Sequence, residues 1–375
     1  MTGQVILSSS EPHPLAPLLR HGMTVVHIPT ASNELPDRDQ ILAATRQLVD
    51  RTGANRIELD LAAASPAEVD SALGSADAVL VGGGDPYLLL DAATRRGFER
   101  STRSLLDRGG TYCGISAGAM LAAPSLEPLR CFSPFPEPPT DADLSGLGLV
   151  DLLVLPHTDR AGRRAEHEAA LHEYGREHRL VPLVDGESVV VHDGQWSLQL
   201  ESGMVVRPAR TDDARSITEL FVAAGRIGWA AFLTNEQLDG IVPDPDTWTD
   251  RISSAGHDDL RATESIAVAT DADGIAGFIW VRPAPDLDLT EPTGEVATFY
   301  THPRVWGTGL GRRLMAHGLD RLRSMGYHEC VLWTEERNER PLRIYAQMGW
   351  TLDGASRPRD FHGIDITEIR HRFAL

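Results

Sequence analysis

Between residues 5 and 157 the chain alternates short, β-rich apolar runs with helical patterns, and this alternation limits the fold more than any other feature. Apolar runs at 5–8, 24–29, 56–61, 78–81, 110–115 and 152–155 read as strands. Helical spacing occupies 37–50, starts again at Ser116, and returns as a charged stretch at 163–178. Strands separated by helices predict an α/β fold, with a mostly parallel sheet and helices on both faces. In such folds ligands gather at the carboxyl ends of the strands. Gly82-Gly83-Gly84, Ser116 and His157 all fall at predicted strand ends.

After residue 180 the pattern changes. Runs at 180–184, 188–192 and 196–200 read as short strands around Asp185-Gly186 and Asp193-Gly194 turns, a hairpin signal. Glu201-Ser202-Gly203 reads as a joint. The expected division is therefore 1–203 and 204–375. The second part carries helix, strands at 265–270, 274–281 and 295–300, a Gly-rich turn, and a long helix at 311–325. A strand at 329–334, a helix at 339–348 and a strand at 367–373 follow.

Composition excludes several classes. The 54 acidic residues against 35 basic ones give −19, which argues against bulk binding to nucleic acid or an anionic membrane. All the basic residues are arginine, so lysine chemistry is absent, whether a Schiff base or a Walker phosphate loop. The three cysteines are scattered, without a CxxC pair, so neither a disulfide framework nor a structural zinc site is expected, and no metal. No apolar run reaches about 18 residues and the first ten lack a signal-peptide pattern. The expected location is cytoplasmic.

Gly114-Ile115-Ser116-Ala117-Gly118 fits GxSxG. A nucleophile on a sharp strand-to-helix turn needs small neighbours, and the new helix offers N–H groups to an oxyanion. Alone, the motif is equally a Gly-rich corner. Here Gly84 ends an earlier strand, and Leu155-Pro156-His157-Thr158-Asp159 places a histidine at the end of a later one, where it can serve as base.

Those segments, with Ile28-Pro29-Thr30-Ala31-Ser32 and Gly146-Leu147-Gly148-Leu149-Val150, resemble the dipeptidase E / cyanophycinase family of serine peptidases. The resemblance covers roughly residues 3–200. It implies a class I glutamine amidotransferase-like fold, Ser116 as nucleophile, His157 as base, and the Gly84 and Ala117 N–H groups as oxyanion hole. The family places an acid between serine and histidine. That segment offers Glu127, Glu137, Asp141 and Asp143, of which Glu127 lies closest to the nucleophile helix.

In the second part, Arg304-Val305-Trp306-Gly307-Thr308-Gly309-Leu310-Gly311 leads from a strand into a helix. Glycines there let the backbone approach a pyrophosphate. With Asn338-Glu339-Arg340-Pro341 and Tyr345-Ala346-Gln347-Met348-Gly349-Trp350, this turn resembles the GNAT family of N-acetyltransferases over about 204–375. The resemblance implies a GNAT α/β domain and acetyl-CoA as co-substrate. It implies pyrophosphate on the N–H groups of Val305, Trp306, Gly307, Thr308, Gly309 and Leu310, with Arg304 alongside. Asn338 would lie near the pantetheine arm and Tyr345 near the thiolate, either as acid or as a core tyrosine. A base for the amine would be Glu295, with Glu335 as second choice.

Together the halves suggest a bifunctional enzyme acting on a small peptide or amine, with a homodimer possible. One expectation is a hydrolase and acetyltransferase disarming a peptide-like or aminoacyl-nucleotide antibiotic. The others are catabolism of aspartyl peptides, and an acetyltransferase carrying an inactive peptidase-like ligand-binding module.

Overall fold

The computed structural model describes residues 2–132, 138, 141–255, 262–289 and 291–375. The chain divides into two compact units, one of Met1–Tyr174 and His178–Gly203, the other of Gly175–Glu177 and Met204–Leu375.

The first unit runs β1 (Gln4–Ser8), β2 (Thr24–Ile28), α1 (Arg38–Arg51), β3 (Asn55–Glu58), α2 (Pro66–Gly74), β4 (Ala78–Val81), α3 (Pro86–Arg96), α4 (Phe98–Asp107), β5 (Thr111–Ile115) and α5 (Ala117–Leu121). It continues through β6 (Leu153–Leu155), α6 (Arg163–Tyr174), β7 (Leu180–Pro182), β8 (Ser188–His192) and β9 (Gln195–Gln199). Strands order as β9-β8-β1-β5-β4-β2-β3. β1, β5, β4, β2 and β3 are parallel, while β8 runs antiparallel to β1. All four residues of β4 are buried, as expected of a strand covered on both faces. Ile6, Leu15, Val25, Leu80 and Cys113 form part of the core against these strands.

Three helices lie where no helix is expected from periodicity, and each has a local cause. Ser65 and Glu68 form a capping box that starts α2 with Pro66 in its first turn. Asp85 caps α3, accepting from the N–H groups of Tyr87 and Leu88. Gly97, at φ 63°, ends α3 and begins α4.

β6 and β7 form a separate two-stranded parallel sheet, in which Leu155 pairs with Pro182. The Asp185-Gly186 segment is therefore no hairpin turn: β7 pairs with β6 and β8 with β1. The Asp193-Gly194 turn does join the antiparallel β8 and β9.

The second unit contains β10 (Val205–Pro208), α7 (Ala214–Trp229), α8 (Asn235–Gly240), α9 (Asp246–Ser254), β11 (Ser265–Asp271), β12 (Gly274–Pro283) and β13 (Gly294–Thr301). Then come α10 (Leu310–Ser324), β14 (Glu329–Glu335), α11 (Glu339–Gln347), β15 (Thr351–Phe361) and β16 (Ile364–Ala374). The strand order is β10-β11-β12-β13-β14-β16-β15. Only β13 and β14 pair in parallel, and only at Gly294–Cys330 and Glu295–Val331. Beyond those two pairs the strands part. β15 lies outside the sequence expectation; its mostly exposed residues carry no apolar alternation.

Candidate active sites

In the first unit, sheet register gathers the polar residues. Ser8 pairs with Ile115 at the ends of β1 and β5, and the Ser116 N–H donates to the Ser8 carbonyl at 2.9 Å. Ser116 stands between β5 and α5 at φ 49°, a conformation costly for a residue with a Cβ. Gly114 and Gly118 permit the bend. A Cβ on Gly114 would lie 2.3 Å from the Gly118 carbonyl oxygen, and one on Gly118 2.3 Å from that of Val81.

Because Leu155 pairs with Pro182, His157 and Asp185 emerge from the same end of the small sheet. Ser116 Oγ lies 3.0 Å from His157 Nε2, and His157 Nδ1 lies 2.5 Å from Asp185 Oδ1. Ser9 braces the pair: its hydroxyl donates to Asp185 Oδ1 at 2.9 Å and accepts the His157 backbone N–H at 3.0 Å. Arg160 Nε donates to Asp185 Oδ2 at 2.8 Å. Burial holds the His157 imidazole below its usual range, against the upward pull of Asp185. For Asp185, burial pushes upward, but hydrogen bonds from His157, Arg160 and Ser9 outweigh it and keep the carboxyl low. A neutral imidazole against an ionised carboxylate is the resting state a serine nucleophile requires.

The carboxylate that the structure places against His157 is Asp185, not Glu127. Glu127 Oε2 accepts from Arg130 Nε at 2.7 Å. Asp143 accepts the Ser145 N–H at 2.9 Å, and Asp141 is exposed. Glu137 lies outside the described residues. Asp185→Asn is expected to cut hydrolysis by about 10⁴-fold, the scale seen when a triad acid loses its charge and the imidazole its tautomer. Glu127→Ala should stay within about twofold of wild type, since a half-exposed i,i+3 ion pair contributes roughly 0–1 kcal/mol. Steady-state hydrolysis of one peptide by both variants decides between them.

Gly84 sits at φ 141°, and a Cβ there would lie 2.0 Å from the Ala31 carbonyl oxygen, so only glycine fits. A Cβ on Gly83 would come 3.1 Å from Ser116 Cβ, which places this turn against the nucleophile. The N–H groups of Gly84 and Ala117 form no hydrogen bond among the described residues. Two free donors beside the hydroxyl are what an oxyanion needs.

In the second unit, a cleft of about 880 Å³ runs from the opening between β13 and β14 to the turn before α10. That turn uses several of its own N–H groups. Val305 donates to His302, Trp306 to Pro303 and Thr308 to Val305, while Leu310 donates to Thr308 Oγ1. The unspent donors are those of Gly307, Gly309, Gly311 and Arg312. Four of the six expected N–H groups are thus already engaged, and the free set extends into the first turn of α10. Gly307 and Gly309 adopt φ 85° and 89°, and a Cβ on either would meet nothing within 4 Å. A concave row of free N–H groups at a helix start suits a phosphate group.

Arg304 does not join it. Its guanidinium is committed to Asp271 and to the Gly274 and Ile275 carbonyls. Arg312, exposed and lining the cleft, and Arg340, stacked 3.4 Å over the Trp306 ring, are better placed for phosphate. Asn338 is 8% exposed and lines the cleft. Tyr345 also lines it, packed edge-on against His371 at 5.6 Å, and burial pushes its phenol well above the usual range.

Glu295 is buried, paired to Arg282 Nε at 2.7 Å, at the last parallel pair before the strands part. Burial raises its carboxyl above the usual range despite Arg282. Glu335 is buried as well, held by the Arg337 N–H at 2.7 Å and Nε at 2.5 Å.

Among the described residues no group of three His, Cys, Asp or Glu side chains is placed to hold a metal, and no helix is long and apolar enough to cross a membrane.

Comparison with known proteins finds a family match in each half of the chain. The description "Peptidase family S51" matches residues 8–199, about half of the chain, and "Acetyltransferase (GNAT) family" matches residues 229–350. "Uncharacterized peptidase PM1590" of Pasteurella multocida is 28% identical over 170 residues, 45% of this chain and 82% of that protein. "Peptidase E" of Streptomyces coelicolor is 34% identical over 143 residues, 37% of this chain and 55% of that protein. "Mycothiol acetyltransferase" of Thermobispora bispora is 36% identical over 90 residues, 23% of this chain and 30% of that protein. The segment that matches the peptidase family carries a serine, histidine and aspartate joined by hydrogen bonds at strand ends, and the segment that matches the acetyltransferases carries the turn with free N–H groups. The chain belongs to peptidase family S51 and carries a GNAT acetyltransferase domain at its C-terminus.

Proposed function

We propose that the chain is a bifunctional enzyme, divided at about residue 203, that hydrolyses an amide in its first unit and acetylates an amine in its second. The observation that carries the first activity is the continuous Ser116–His157–Asp185 relay. Ser116 Oγ attacks the amide carbon while His157 Nε2 takes its proton. The Gly84 and Ala117 N–H groups receive the oxyanion. His157 then gives its proton to the leaving amine, and water releases the acid by the same steps. The Asp185 carboxylate against His157 favours an active hydrolase over an inactive ligand-binding module.

In the second unit, acetyl-CoA is the co-substrate, its pyrophosphate on the free N–H groups of Gly307, Gly309, Gly311 and Arg312. Asn338 borders the pantetheine arm. Glu295, directly or through water, takes a proton from the acceptor ammonium. The neutral amine attacks the thioester carbon, the C–S bond breaks, Tyr345 protonates the departing thiolate, and the surplus proton on the new amide nitrogen returns to the Tyr345 phenolate. The phenol carries its proton at neutral pH and is available as a donor, while its burial makes it a weaker acid than a free phenol. Glu295→Gln should lower acetyl transfer by roughly 10²–10⁴-fold. In wild type the activity carried by Glu295 falls as pH drops through a carboxyl pKa that lies above the ordinary 4.5. The variant should lack that acid limb in a pH–rate profile.

Hydrolysis unmasks an amine and acetylation caps it, so one small molecule can pass through both reactions. That pairing supports a role in disarming a peptide-like or aminoacyl-nucleotide antibiotic. Mass spectrometry of the full chain with a panel of aspartyl dipeptides and amines, with and without acetyl-CoA, tests the assignment. Hydrolysed products, and a 42 Da gain on an amine only with acetyl-CoA, are expected. A panel unchanged under both conditions would contradict it.

A further inference from the structure

Among the described residues three guanidiniums lining the acetyltransferase cleft have no carboxylate partner: Arg312 and Arg340, beside the phosphate turn, and Arg251. Arg251, on α9, lies 4.9 Å from the Trp248 ring centroid and 4.8 Å from that of Trp280. Both indoles are buried, and the Trp280 Nε1–H is fixed on Glu264 at 3.0 Å. Arg251 lines the cleft but forms no hydrogen bond or ion pair among the described residues. Three other arginines along the same wall are all paired: Arg282 with Glu295, and Arg357 and Arg359 with Glu368, at 2.6 to 2.9 Å.

The position along β13 says which end of the cleft this is. Trp280 pairs with Thr298 and Arg282 with Glu295, whereas the free N–H turn follows Thr301. At about 3.3 Å per residue, Glu295 and that turn are separated by roughly 20 Å. Trp280, opposite Thr298, lies midway between them, and the arginines whose charges act on Arg251 are Arg282 and Arg359, which pair with Glu295 and Glu368, so Arg251 lies toward the Glu295 end. Burial and the neighbouring Arg282 and Arg359 push its guanidinium below the usual range, against the opposing pull of Glu264. A cation without an ion-pair partner, its in-plane donors unused, is a place for a bidentate oxyanion.

We propose that Arg251 anchors an oxyanion carried by the amine acceptor, a carboxylate or a phosphate, so that the acceptor class is an anionic amine. The inference rests on the acetyltransferase reading of this cleft. It also joins the two activities. Cleaving a peptide amide releases an amine fragment that keeps its own carboxylate, which is an acceptor of this class.

The test is calorimetric, on the full chain saturated with CoA. The probes are the acetylated product forms in matched pairs: N-acetylglycylphenylalanine against its amide, and N-acetylphosphoethanolamine against N-acetylethanolamine. Wild type should bind at least one anionic member about tenfold or more tighter than its neutral partner, and the pair that shows it identifies the source of the anion. Arg251→Ala and Arg251→Met should lose the preference, and Arg251→Lys should keep part of it. Arg251→Met keeps apolar contact with the indoles, so a merely structural arginine would leave its preference intact. Equal binding within both pairs, binding of none of the probes, or a preference that survives in folded Arg251→Met would overturn the proposal. Titration of acetyl-CoA alone into the same protein judges the acetyltransferase reading separately.

Discussion

Ser116→Ala and His157→Ala are each expected to lower amide hydrolysis by roughly 10⁴–10⁶-fold, and the double variant should be little worse than either. The reason is geometric. Ser116 Oγ has a single base, His157 Nε2 at 3.0 Å, so loss of either removes the same proton transfer. Acetyl transfer should remain near wild type in all three, because the cleft lined by Tyr345 and Glu295 belongs to the second unit. Because burial keeps His157 below its ordinary value, the acid limb of wild-type hydrolysis should fall at a lower pH than that of a free imidazole. Full hydrolysis by His157→Ala would show that another group is the base.

Gly309→Val should weaken acetyl-CoA binding more than tenfold. Gly309 holds φ 89° at the N-cap of α10, a conformation a β-branched residue strongly disfavours. A valine would also project into the open space that the pyrophosphate needs. Twisting the turn misaligns the Gly307, Gly309, Gly311 and Arg312 donors together. Each hydrogen bond to a charged group is worth roughly 1.5–3 kcal/mol, so the loss of one already reaches the predicted effect. Calorimetric titration of acetyl-CoA into the full-length variant measures it, with hydrolysis by the first unit as an internal control for folding. Unchanged affinity would place the phosphates elsewhere in the cleft.

The alternation of strands and helices exposed the parallel sheet, because buried parallel strands leave uninterrupted apolar runs such as 78–81. Ser116 and His157 were legible as candidates for a related reason: both stand at strand ends, with Gly or Pro beside them. Asp185 was not. In sequence, Asp185-Gly186 between apolar runs reads as a hairpin turn, and only the parallel pairing of β6 with β7 turns it toward His157. The register of two short strands is a long-range property, and local pattern carries no trace of it. A different limit applied at the phosphate turn. Glycine spacing located the turn, but which N–H groups remain free depends on its internal bonds, among them Leu310 to Thr308 Oγ1. The helices α2 and α3 did announce themselves, through Ser65 with Glu68 and through Asp85-Pro86, signals of capping rather than periodicity.

Covalent labelling decides whether Ser116 is an activated nucleophile in a chain that also holds an acetyltransferase cleft. A fluorophosphonate reacts with a serine only when a base and an oxyanion site attend it. Peptide mapping of the labelled full-length chain should place one adduct on Ser116, absent from Ser116→Ala and formed far more slowly in Asp185→Asn. A chain that takes no label, or takes it at the same rate on a different serine in Ser116→Ala, would contradict the assignment.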